Sequence, residues 1–109
     1  MIAWSDIIEL GRQIAERFSP DKIVLFGSYA HGTPTEGSDV DLLVIVDHDG
    51  RNPDMAIEIM EAVRPRIPVD LVVRTPAEVE QRLAWNDFFL REVLTKGRTL
   101  YAAAEPVDA

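Results

Sequence analysis

The apolar residues of this chain change their spacing several times, and each change predicts an element. Ile7, Leu10, Gly11, Ile14 and Phe18 recur in steps that lay one stripe along a helix. Ser5 is the expected N-cap of that helix, and Ser19-Pro20-Asp21 ends it. The spacing then collapses into a continuous, β-branched run, Lys22-Ile23-Val24-Leu25-Phe26, which predicts a buried strand. Ser28 to Gly32 predicts a short helical turn stopped by Gly32, and Thr33 to Ser38 a polar loop containing Pro34 and Gly37. Asp39 to Val46 reads as a second strand.

Beyond a loop over Asp47 to Asn52, Asn52 caps a helix with Pro53 at its first position, with Ala56, Ile59, Met60 and Val63 inward. Pro65 ends that helix, and Pro68 to Val73 forms a third strand. Thr75-Pro76-Ala77-Glu78 carries the pattern of a capping box at a helix start. The helix it opens breaks near Trp85-Asn86 and resumes to Lys96-Gly97. Arg98 to Tyr101 forms a last edge strand. This order predicts an α/β (α+β) domain over residues 1–101, a small mixed sheet of three to four strands flanked by helices, and a flexible tail over 102–109. The connection between the first two strands, about a dozen residues, permits either relative direction.

Composition narrows the partners. The chain has 109 residues, enough for one domain, with 47% hydrophobic residues and no cysteine, which excludes disulfides and thiolate metal sites. No apolar run is long enough to span a membrane, and the N-terminus lacks the basic and apolar regions of a signal peptide, so a cytoplasmic protein is expected. The net charge of −8 argues against non-specific nucleic-acid binding, which rests on Lys and Arg contacts to phosphates. It leaves room for a nucleotide held through a divalent metal, and for a homo- or hetero-oligomer with a basic partner.

The chemistry concentrates in residues 27–44, GSYAHGTPTEGSDVDLLV. Gly27 and Ser28 follow a strand and open a helical turn, where backbone N–H groups and the Ser28 hydroxyl can meet a phosphate. In a strand, residues two apart share a face, so Asp39 and Asp41 project together, about 7 Å apart at their Cα atoms. Two converging carboxylates repel, and a divalent ion with a preference for hard oxygen ligands, such as Mg²⁺, relieves the repulsion. Asp70 interrupts the apolar run Val69-Asp70-Leu71-Val72-Val73 and needs a partner if buried. A metal shared with Asp39 and Asp41 would supply one, and an ion pair with Arg66 or Arg74 would be the alternative. The sequence therefore suggests metal-assisted phosphoryl chemistry with Asp39, Asp41 and Asp70 as ligands. His48, between Asp47 and Asp49, reads as a solvated loop residue.

At these residues the chain resembles the minimal nucleotidyltransferases of the DNA polymerase β-like superfamily. The resemblance rests on Gly27-Ser28, Ala30 and Gly32, on Ser38-Asp39-Val40-Asp41-Leu42 opening a strand, and on Asp70 in a later strand. It covers nearly the whole chain. Such domains are similar to the antitoxin half of HEPN–MNT toxin–antitoxin pairs. The resemblance implies transfer of AMP from Mg·ATP to a tyrosine of a cognate HEPN ribonuclease toxin. It implies metal binding by Asp39 and Asp41, with about two Mg²⁺ ions. Asp70 would be the third ligand and the base for the incoming hydroxyl, and Gly27, Ser28 and Ser38 would bind the nucleotide. Many family members carry Arg where this chain has His31, so a phosphate or partner role does not carry over at that position; His31 reads as an exposed loop histidine, with contact to a phosphate in its protonated form as the alternative.

Two other readings compete. A small-molecule nucleotidyltransferase of the aminoglycoside type would need an acceptor-binding region for which 109 residues leave little space. A non-catalytic module would neutralise its partner by contact alone, but the full set of acids and the Gly-Ser pair weigh against it. The C-terminal helix also bears Leu83, Trp85, Phe88, Phe89, Val93 and Leu94, more than one narrow core stripe needs. Trp85 or Phe89 is expected at a partner or dimer surface.

Overall fold

The computed structural model describes residues 1–103; the expected tail therefore lies, from residue 104 onward, outside the described residues. The elements follow as α1 (Trp4–Phe18), β1 (Lys22–Phe26), α2 (Ser28–His31), β2 (Val40–Ile45), α3 (Asn52–Val63), β3 (Val69–Arg74), α4 (Pro76–Ala84), α5 (Phe88–Lys96) and β4 (Arg98–Ala102). The four strands form one mixed sheet in the order β3-β2-β1-β4. β1 runs antiparallel to both β2 and β4, while β2 and β3 are parallel. The direction left open between the first two strands is thus antiparallel, and the parallel step is made through α3, as a crossover requires.

β2 is an inner strand, and all but Asp41 of its residues are buried. Alternation along it divides the core into two layers. Val40, Leu42 and Val44 meet Ile7, Leu10 and Ile14 of α1 and Ile59 and Val63 of α3 on one face. Leu43 and Ile45 meet Val79 of α4 and Leu90 and Val93 of α5 on the other. Each buried aliphatic side chain contributes about 1.5–3 kcal/mol relative to exposure, so β2 is the strand that ties both helical layers together.

The helix ends follow local chemistry, with two shifts from expectation. α1 starts at Trp4, with Ala3 rather than Ser5 as N-cap, because the Ala3 carbonyl already accepts the amides of Asp6 (3.0 Å) and Ile7 (3.3 Å). α3 is capped by Arg51 rather than Asn52, whose side chain is engaged elsewhere. Asn52 Nδ2 donates to Glu78 (2.9 Å), and Asn52 Oδ1 accepts from His48 Nε2 (2.8 Å). The capping box is formed: Thr75 Oγ1 accepts the Glu78 amide and Glu78 accepts the Thr75 amide. The break after α4 occurs where expected. Asn86 takes a left-handed conformation (φ 59°), and Asp87 Oδ1 caps α5 by accepting the Leu90 amide at 3.0 Å.

His48 departs from its reading as a solvated loop residue. Its Nδ1 meets the Asp49 carbonyl at 2.9 Å, while Nε2 meets the Asn52 side-chain oxygen. Both partners are acceptors, so both ring nitrogens donate and the imidazolium form is favoured. These hydrogen bonds, with Glu78 and Asp47 nearby, raise the His48 pKa, whereas the hydrogen bond from Thr75 lowers that of Glu78. A raised histidine pKa stabilises the fold fully below the unfolded value and loses that contribution as pH rises through the folded value. His48→Ala is therefore expected to destabilise the protein more at about pH 6 than at about pH 9, measured by thermal melts in matched buffers. An equal loss at both pH values would refute an imidazolium in this network.

Candidate active site

The strand pairing decides which acids meet. β1 delivers Gly27 at its C-terminal end, and the antiparallel register sets Phe26 opposite Asp41. The parallel register sets Asp70 opposite Asp41. Asp39 lies immediately before β2, two residues from Asp41. All of these residues gather at one end of the sheet, drawn from the end of β1 and the starts of β2 and β3. The Val40 amide donates to the Pro68 carbonyl at 2.9 Å and locks the starts of the two parallel strands together.

Alternation also fixes a face. Leu43 and Ile45 on β2, Val72 on β3 and Val24 and Phe26 on β1 belong to the layer under α4 and α5. Asp41 and Asp70 share that alternation and project to the same side. Asp39 and Asp70 are exposed, and Asp41 is half-buried. Burial, then the charges of Asp70 and Asp39, raise the Asp41 pKa above the ordinary carboxylate range. The cost of burying Asp70, which framed its reading from the sequence, does not arise at an exposed position. Nor does the alternative ion pair form: among the described residues no salt bridge reaches Asp70, and Arg74 Nη1 donates to the Val73 carbonyl.

The turn beside the acids has equally specific geometry. Gly27 has φ 73°, and a Cβ there would collide with Asp41 Oδ2. Only glycine meets both requirements, since a side chain would be strained by the backbone and would also strike the carboxylate. The Gly27 carbonyl accepts the amides of Ala30 (3.1 Å) and His31 (3.2 Å), which leaves the first amides of α2 at the open end. Gly32 closes α2 in a left-handed conformation (φ 73°), as the sequence indicated. Tyr29 anchors the turn, its hydroxyl accepting the Ile2 amide at 3.0 Å. Ser38 holds the loop in shape, since its Oγ accepts the Thr35 amide at 2.9 Å and closes the path leading to Asp39. His31 is exposed.

Among the described residues, no three His, Asp or Glu side chains enclose a common point. The acids nevertheless suit Mg²⁺ in kind and position. They are hard oxygen donors, Asp41 and Asp70 face each other across adjacent strands, and their mutual repulsion is what a divalent ion offsets. The two exposed carboxylates are free to turn towards Asp41. Amides beside such a carboxylate group are the elements that metal-assisted nucleotide chemistry would use.

Comparison with known proteins identifies the family. Residues 7–100 match the nucleotidyltransferase domain family, and the chain belongs to it. It is 35% identical, over 82 residues, to a Methanocaldococcus jannaschii protein provisionally described as a protein adenylyltransferase, covering 73% of this chain and 77% of that one. A structure from Sulfolobus solfataricus, provisionally described as a nucleotidyltransferase, matches with a TM-score of 0.56 at 22% identity, over 71% of this chain and 70% of that one. A toxin–antitoxin structure with AMP-PNP matches with a TM-score of 0.52 at 22% identity, over 88% of this chain and 73% of that one. The two structural matches support the fold. The chain is a nucleotidyltransferase with a mixed sheet flanked by helices, as the sequence predicts.

A carboxylate whose folded pKa is raised stabilises only while protonated, and that contribution is lost as pH rises through the folded pKa, so ionised Asp41 is a cost at neutral pH. Asp41→Asn is expected to raise stability at pH 7 by on the order of 1 kcal/mol after solvent screening, which is about 4–8 °C in Tm, with the gain fading in acid. Mg²⁺ should raise the Tm of the native protein more than that of Asp41→Asn. By contrast, Gly27→Ala is expected to lower stability by about 1–3 kcal/mol and to abolish nucleotide chemistry, assayed by thermal melts and by turnover.

Proposed function

We propose that this chain is a Mg²⁺-dependent protein adenylyltransferase acting as an antitoxin. It would transfer AMP from ATP to a tyrosine of a cognate HEPN-type toxin. The observation that carries the reading is the register: Asp41 opposite Asp70, with Asp39 two residues away and the Gly27-Ser28 turn against the Asp41 carboxylate. The family membership and the relative described as a protein adenylyltransferase support the same reading.

The chain's residues then divide the work. Gly27 and Ser28 offer amides and a hydroxyl to the phosphates at the start of α2. Asp39, Asp41 and Asp70 would hold Mg²⁺, which when bound neutralises phosphate charge and polarises the α-phosphoryl group. Asp70, exposed at the rim, is open to an approaching hydroxyl and accepts its proton. The phenolic oxygen forms a bond to the α-phosphorus as the bond to the bridging oxygen of the leaving pyrophosphate breaks. Alignment of these groups, rather than covalent participation by the protein, supplies the acceleration. Ser38 supports this arrangement through the loop it closes before Asp39. No helix among the described residues is long and apolar enough to cross a membrane.

The test is incubation with ATP labelled at the α-phosphate, Mg²⁺ and the purified product of the adjacent gene. Label is expected on a tyrosine of that protein, and its toxicity is expected to fall as label accumulates. Asp39→Asn/Asp41→Asn should reduce transfer by at least about 100-fold. Full neutralisation by this double variant would instead establish neutralisation by contact, and transfer to an aminoglycoside but to no protein would establish a small-molecule enzyme.

A further inference from the structure

Three large apolar side chains stand out at the joint between α4 and α5. Trp85 is 70% exposed, Phe88 75% and Phe89 41%. The neighbouring Leu83, Leu90, Val93 and Leu94 meet the expectation for the helix and pack in the core layer, so these aromatics are surplus to it. Phe89 has a structural anchor: its ring meets Phe26 edge-on, with centroids 5.4 Å apart. Phe26 in turn is the register partner of Asp41. The aromatic surface therefore begins one residue pair from the carboxylates, on the face towards which Asp41 and Asp70 project.

We propose that Trp85, Phe88 and Phe89 form the docking surface for the protein acceptor, gripping the segment that carries the acceptor hydroxyl. The inference rests on the reading of the chain as a protein adenylyltransferase. An acceptor hydroxyl reaching Asp70 passes over the α4/α5 side of the sheet, because that is the side to which the acids point. Its chain then lies against the wall that starts at Phe26 and Phe89. The chemistry of the occupant follows from what surrounds the patch. Around these aromatics Arg82 is ion-paired with Asp87 at 3.5 Å and Arg91 donates to the Asn86 side chain at 3.4 Å, so the rim is polar and carries both signs of charge. The complementary segment is apolar or aromatic at its centre, with polar groups at its flanks.

Area favours a substrate over a second copy of this chain. With 150–250 Å² available per aromatic side chain, the exposed fractions amount to roughly 400 Å². A standard stable interface uses about 800 Å² on each partner, so this patch is an anchor for a transient encounter. Aromatic side chains suit such an anchor, since they bring contact area with few rotors to immobilise.

The test uses Phe88→Glu and Trp85→Glu, made separately because each residue is mostly exposed; Phe89 is left intact because it packs on Phe26. Transfer of labelled AMP is measured to the purified adjacent-gene protein and to N-acetyltyrosinamide, which is too small to span the patch. The expected result is at least a 10-fold rise in the apparent KM for the protein acceptor, with unchanged KM for Mg·ATP, unchanged transfer to the small phenol and unchanged Tm. An unchanged KM for the protein acceptor in both variants overturns the docking surface and leaves the adenylyltransferase reading intact. A native dimer that both variants convert to monomer in sedimentation, with protein transfer unaffected, assigns the patch to self-association and overturns the proposal. Failure of the native chain to label any protein removes the underlying reading and the docking surface with it.

Discussion

The parallel pairing of β2 with β3 is the constraint on which this structure depends. It sets Asp41 directly opposite Asp70, an arrangement that the strands would avoid on electrostatic grounds. At about 6 Å, two unit charges repel by about 0.7 kcal/mol in water and about 3 kcal/mol at an effective dielectric constant of 20. The apolar remainder of β2 outweighs this. Leu42, Leu43 and Val44 are completely buried, each worth about 1.5–3 kcal/mol, and the register that buries them is the one that opposes the acids. A slip by one residue would turn Leu43 and Asp41 to the other face and break both core layers at once. Core packing thus holds the carboxylates in a pairing that they themselves disfavour.

The rest of the site is organised around that pairing. β1 ends at Gly27, and the absence of a side chain there leaves space for the Asp41 carboxylate. The same glycine turns the chain into α2, so the first amides of α2 and the acids are set by one backbone geometry. The loop returning to β2 is closed by Ser38 and Thr35, which fixes where Asp39 leaves the loop. At the opposite end of the sheet, His48, Asn52 and Glu78 join the starts of α3 and α4. That network holds the two helices that follow the parallel strands, and so supports the active end from a distance.

The candidate site carries Asp39 and Asp70 exposed at its rim, with Asp41 half-buried between the strands. Exposed acids of this kind would suit the proposed macromolecular acceptor, which would cover them on arrival and exclude water as it docks. On that proposal the aromatic surface that begins at Phe26 and Phe89 would give the acceptor a place to rest. It also explains why the C-terminal helices carry more aromatic surface than their own packing consumes.

Much of this was legible in the sequence. Helical spacing located α1, continuous β-branched runs located β1 and β2, and the Thr75–Glu78 pattern located the start of α4, because all depend on neighbours within a few residues. Gly27, Ser28, Asp39 and Asp41 stood out for the same reason: their geometry is local to one strand–turn–strand segment. What the sequence could not settle depended on distant contacts. The direction of β2 against β1, the opposition of Asp70 to Asp41 and the exposure of Asp70 required the sheet to be assembled. The true caps of α1 and α3 turned on which carbonyl and side-chain groups were already engaged. His48 read as solvated because the Asn52 side chain that it bonds is itself fixed by Glu78, a contact between distant positions that only folding makes. The sequence alone thus determined the chemical groups and their local spacing, while the tertiary structure decided which of them share an end and a face, since strand register is chosen by burial of the core rather than by the acids it brings together.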